Sequence, residues 1–249
     1  MGIKAFFGRM IFGKLDADLA TFGEPVEARL VEMLNAKPLE TFAHLLDLKN
    51  LGGESTGYVR TYSAERMDKL ACLSINILPG MRYFNIHAIP DHRFMIPRFS
   101  FEGMITTRGS QVSMDLYPDI DMVREFDFIR DNYTKAAKSW QAAKQHKTIR
   151  IEPSRLAHLR AICSPYFLLA NKVQKDDLGT MQSWAFDYLD NWKRIYDSAS
   201  ELDADAAVAR LERRRWTART IIENDPDRDK VVDTYGEETT RAIEEAAML

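Results

Sequence analysis

The stretch MRYFNIHAIPDHRFMIPRFSFEGMITTRGSQVSMDLYP, residues 81–118, decides how the chain is read. Aromatic and β-branched residues crowd into short runs, and Pro, Gly or polar clusters such as IPDHRFMIP and TTRGS separate them. These are the marks of strands joined by turns. Two runs of the same kind, GYVRTYS and DKLACLSINI, precede it. Successive short strands with short connections predict an antiparallel meander over residues 55–118.

Side chains alternate across a strand. Along residues 96–105, Phe99, Phe101 and Ile105 take one face, and Arg98, Ser100 and Glu102 take the other. Along 82–89, Phe84, Ile86 and Ala88 oppose Tyr83, Asn85 and His87; along 110–116, Val112, Met114 and Leu116 oppose Gln111, Ser113 and Asp115. In a continuous sheet the polar faces coincide, which gathers Asn85, His87, Arg98, Ser100, Glu102, Gln111, Ser113 and Asp115. One solvated face is usual for antiparallel sheets, but such a face is rich in Lys, Glu and Thr. This one has no lysine and carries His, Asn, Gln and Arg once each. It reads equally well as the wall of an internal pocket, where a few placed polar groups orient a ligand. The two readings divide on Glu102: it is either a solvated or Arg98-paired carboxylate, or it is buried for a reason, since an unpaired buried charge is expensive.

Outward from the meander the period changes. Residues 15–48 read as helical, with Leu19, Val26, Leu30, Met33 and Leu34, then Leu39, Phe42, Leu45 and Leu46, at helical spacing. Residues 121–146 predict one long amphipathic helix, RAICSPYFLLANK one further strand, and residues 174–200, 203–224 and 236–248 three more helices, with a break at Asn224-Asp225-Pro226-Asp227. The expected fold is α+β: a three-layer α/β/α sandwich, its central antiparallel sheet flanked by helices. One domain spans 1–249, with a helical part over 1–50, the meander over 55–118, and helices plus one strand over 119–249.

Bulk properties narrow the function. The 249 residues carry 34 basic and 37 acidic side chains, net −3, which argues against a nucleic-acid partner. Cys72 and Cys163 are too few for a disulfide framework, so a reducing cytoplasm is expected. Zinc spacing is absent, no metal is expected, and no apolar run reaches the roughly 20 residues of a membrane helix. The N-terminus, MGIKAFFGRMIFGKL, reads as a short amphipathic helix that packs on the body of the protein or touches a membrane surface.

The stretch NIHAIPDHRFMIPRFSFEGMITTRGSQVSMDLYPDID resembles the central sheet of the ferredoxin-dependent bilin reductases, of which the phycocyanobilin:ferredoxin oxidoreductases are one branch. CSPYFLLA resembles that family's late strand, and RRRWTARTIIENDP with VVDTYGEE its C-terminal helix, break and Gly-Glu segment. VSMDLYP is closer to the red chlorophyll catabolite reductases, relatives with Glu where the others have a catalytic Asp. The resemblance covers about residues 55–249. It implies that Glu102 and His87 are catalytic. It also implies that Ser113 contacts a bilin propionate and that Asp225, or Asp227, stands for the acid of the C-terminal helix. Asn85, Arg98, Ser100 and Gln111 complete the expected substrate contacts. A second His-x-Glu motif of the family is missing, because ACLSINI stands in its place. The resemblance further implies no bound cofactor, electrons from reduced ferredoxin, and a radical route from biliverdin IXα to a phytobilin. A red chlorophyll catabolite as substrate, or tetrapyrrole binding without catalysis, are the alternatives. An acidic ferredoxin would meet Arg213-Arg214-Arg215 or the cluster Lys135, Lys138, Lys144, Lys147 and Arg150.

Overall fold

The computed structural model describes residues 15–248; residues 1–14, all but the last residue of the amphipathic N-terminal segment, lie outside them. Five long strands follow one another: β3 (Ser55–Ser63), β4 (Met67–Leu78), β5 (Met81–Pro90), β6 (Arg98–Thr106) and β7 (Ser110–Tyr117). Each pairs antiparallel with the next. The late strand β8 (Leu168–Val173) joins β7 at one edge, and the two-residue strands β1 (Lys37–Pro38) and β2 (Leu48–Lys49) pair with β3 at the other. The meander expected from the sequence is the sheet that forms.

Its apolar face carries Phe84, Ile86, Phe99, Phe101, Val112, Met114 and Leu116. Against it pack α1 (Ala17–Ala20), α2 (Glu24–Met33), α3 (Phe126–Asn132), α4 (Thr134–Gln145) and α6 (Leu178–Ser198), through Leu19, Val26, Leu30, Ile129, Ala136, Tyr188 and Trp192. Phe84 is held between two glycines: a Cβ on Gly23 or on Gly103 would stand 2.8 or 2.7 Å from its ring. The layers meet closely there because both positions lack a side chain. The opposite face is covered along β3 and β4 by α9 (Glu237–Ala247), whose Ile243 and Ala246 meet Val59, Leu73 and Ile75. Three layers therefore form, as expected.

The expectations outside the meander need four corrections. Residues 15–48 are helical only to Met33. Asn35 then adopts φ 47°, a left-handed conformation that Asn tolerates, and Pro38 forces an extended Lys37. The later Leu and Phe residues form a 3₁₀ turn, Glu40–Leu45. The helix expected over 121–146 is split at Tyr133, because the buried Asn191 side chain intervenes. Its Oδ1 accepts from Lys135 N (2.7 Å) and Ala136 N (3.2 Å), and its Nδ2 donates to Asn132 O (2.8 Å). The strand expected over 160–172 begins only at Leu168; residues 160–162 end helix α5 (Ala157–Ile162), which stops ahead of Pro165, and 163–167 form the connecting turn. Finally, the break after α7 (Ala204–Glu223) contains a further helix, α8 (Arg228–Tyr235), and Gly236, at φ 80°, turns the chain into α9.

Helix α7 crosses one end of the sheet. Arg210 donates to Pro118 O at 3.2 Å and to Ile96 O; Arg214 donates to Asp119 at 3.2 Å, to Asp68 at 3.1 Å and to Pro90 O. The run Arg213-Arg214-Arg215 is thus not a surface triplet, since its central member is buried in the fold.

Candidate active site

Register brings the expected residues together on the face away from the larger core. Asn85 pairs with Glu102 and Glu102 with Ser113; His87 pairs with Ser100 and Ser100 with Asp115; Arg98 pairs with Tyr117. Two adjacent rungs of the ladder therefore hold six of the polar residues, and the next holds Arg98.

The first rung centres on Glu102, which stays partly exposed. Ser113 donates to its Oε1 at 2.9 Å, and Asn85 Nδ2 and Tyr83 Oη donate to Oε2 at 3.2 and 3.3 Å. Burial of the carboxyl group pushes its pKa above the ordinary value, and the three donors oppose that shift; the charge of Asp225 adds to it. Glu102 makes no ion pair with Arg98, so the sheet face does not neutralise it as a simple salt bridge. Tyr83 was not among the expected site residues. Alternation alone puts it on this face, but a tyrosine in a strand reads as packing.

The second rung is closed. His87 accepts from Ser100 Oγ at Nε2 (3.0 Å) and must donate from Nδ1 to Ala247 O (3.1 Å), because a carbonyl only accepts. Burial first, and then the charge of Arg98, lower its pKa to about 3. The imidazole is therefore a neutral bridge between the sheet and the end of α9. Asp115 accepts from Ser164 N at 2.8 Å and from Ser164 Oγ at 2.5 Å, and burial raises its pKa to about 6.

The remaining residues sit at the periphery. Gln111 is exposed at the strand end, opposite Met104. Asp225 is exposed at the turn between α7 and α8, where its Oδ1 accepts from Asp227 N at 2.9 Å. A hollow of about 500 Å³ opens nearby, lined by Phe42, Lys69, Arg241, Glu244 and Glu245. The polar groups differ in exposure: Gln111 is exposed, Glu102 partly exposed, and Asn85, His87, Arg98, Ser100, Ser113 and Asp115 are buried.

Two buried groups in this region lack hydrogen-bond partners among the described residues: all three nitrogens of Arg98, and Asn85 Oδ1. Asp68, Asp91 and His92 place one potential metal ligand each within 4.8 Å of one another. Arg214 and Arg93 already occupy Asp68 and Asp91, which leaves little negative charge for a cation. Among the described residues no helix is long and apolar enough to cross a membrane.

No protein-family model matches the chain, and no curated protein matches its sequence. Among solved structures it is similar to phytochromobilin synthase from tomato in complex with biliverdin, with a TM-score of 0.76 and 17% identity, over 89% of this chain and 80% of that one. An identity this low speaks to architecture alone. The α+β sandwich described above, with its antiparallel meander between helical layers, is the fold of that bilin-binding enzyme.

Proposed function

We propose that the chain reduces a linear tetrapyrrole of the biliverdin type, with Glu102 as a proton donor and reduced ferredoxin as the source of electrons. The observation that carries the reading is the Glu102 network. A carboxyl group with a raised pKa, held by Ser113, Asn85 and Tyr83, stands on a polar sheet face inside a fold known to hold biliverdin in a relative. A carboxyl group whose pKa is raised by burial holds its proton to higher pH than a solvated one and can release it in a transition state. Saturating one carbon–carbon double bond takes two electrons and two protons. A one-electron carrier supplies the electrons singly, and Glu102 hands on a proton after electron transfer has made the pigment basic. Tyr83, which touches both Glu102 and Asn85, donates to the carboxylate and holds it in place, and Glu102, partly exposed, is reprotonated from solvent for the second proton. The free carbonyl of Asn85 matches a pyrrole N–H, a donor that every tetrapyrrole carries.

Purified protein is mixed with biliverdin and its visible spectrum recorded; reduced ferredoxin is then added without oxygen, and the extracted pigment is chromatographed. A shift on mixing followed by a new product supports the reading. A shift with unchanged pigment makes the protein a carrier, and no shift rejects a bilin ligand.

A further inference from the structure

We infer that Arg98 is the anion receptor of this site, taking a carboxylate side chain of the bound ligand; the inference rests on the tetrapyrrole reading and deepens it. Arg98 is 0% exposed, on the same strand face as Ser100 and Glu102. Its guanidinium lies over the Tyr117 ring, 4.7 Å from the centroid, and its Nε, Nη1 and Nη2 have no hydrogen-bond partner among the described residues.

The charge cannot be shed, because arginine stays protonated. A buried, unpartnered cation costs free energy until an acceptor arrives. Its neighbours do not meet that need. His87 is neutral and spends both ring nitrogens on Ser100 and Ala247. Asp115, one strand over, acts on Arg98 only through space, since its oxygens are held by Ser164. Lys69, the next cation, donates to Glu245 O at 2.5 Å and repels rather than pairs. What fits a planar fork with free donors is a carboxylate, bound in two-pronged fashion. Arg98 and Glu102 are four residues apart on one face, about 13 Å along the strand. A ligand that gives a carboxylate to Arg98 and a reacting carbon to Glu102 must be elongated and bear its acid on a side arm, as a linear tetrapyrrole with propionate chains does, and its entry must part Ala247 from His87, which closes the rung between them.

The test compares biliverdin with its dimethyl ester by absorbance titration, using wild type, Arg98→Met and Arg98→Lys. The wild type is expected to prefer the diacid. Arg98→Met should lose about ten- to a hundredfold of that preference, and Arg98→Lys should retain part of it. The ligand-free Arg98→Met protein should melt no lower than wild type, since an unpaired buried charge has gone. An unchanged acid-to-ester ratio in Arg98→Met overturns the assignment and leaves the bilin reading intact. Lower melting of ligand-free Arg98→Met by several degrees makes Arg98 a structural cation and also overturns it. Failure of the wild type to bind either pigment overturns the bilin reading, and the inference with it.

Discussion

Replacing Glu102 by Gln separates chemistry from architecture. The substitution keeps shape and volume and removes the exchangeable proton. Ser113 can still donate to the amide oxygen, and Tyr83 Oη can accept from the amide nitrogen. Asn85 then faces an N–H with its own N–H, but its unpartnered Oδ1 allows the amide to turn over and accept instead. The folding cost is therefore small, about 1 kcal/mol, the size of one hydrogen bond. Loss of a positioned acid costs about 10²–10⁴ in rate. Bilin affinity should change by no more than about threefold, while turnover under anaerobic ferredoxin reduction falls at least about 100-fold. The pH profile supplies a second measure. Because burial raises the pKa of Glu102 above its ordinary 4.5, the donating form persists below the shifted value and wild-type turnover should fall as pH rises through it. Stability follows the same sign. A carboxyl group with a raised folded pKa takes up protons on folding, so stability declines as pH climbs from 4.5 through the raised value, and the Gln variant lacks that decline. Turnover of Glu102→Gln within about threefold of wild type, with an unchanged pH profile, would refute the assignment of Glu102 as donor.

Other outcomes follow from the packing. His87 has its folded pKa depressed from 6.5 to about 3, so the folded state refuses a proton that the unfolded chain accepts. Stability should drop by about 2 kcal/mol between pH 7 and pH 5 in urea titrations, and His87→Gln should flatten that slope. Asn191→Ala strands the Lys135 and Ala136 N–H groups at the α3–α4 joint, while Asn132 O keeps Arg194 as a donor, so it should cost roughly 2–4 kcal/mol and lower the melting temperature. Gly103→Ala would drive a methyl group to 2.7 Å from Phe84 and 3.0 Å from Gln111 O; calorimetry should show a loss of about 1–3 kcal/mol.

Much of the sheet is legible in the chain because a strand's pattern is local. Alternation around Phe99, Phe101 and Glu102 assigns faces, short polar turns dictate antiparallel neighbours, and together these put Asn85, His87, Ser100, Glu102 and Ser113 on one surface before any contact is known. The helices were less legible, because their ends depend on distant partners. No property of residues 121–146 announces a break at Tyr133; it is set by an amide on α6, 56 residues downstream of the Lys135 nitrogen it caps.

The same division holds within the site. Residue type and spacing determined by themselves that an acid, a histidine and an arginine share a sheet face, since backbone pleating follows from covalent geometry and sequence parity. Only the tertiary structure decided their states: His87 neutral beneath Ala247, Arg98 buried without an acceptor, Tyr83 joined to Glu102, and Arg214 drawn inside from a basic run. Protonation and pairing depend on burial and on which groups come within a few ångströms, and those are properties of the assembled layers rather than of any one segment.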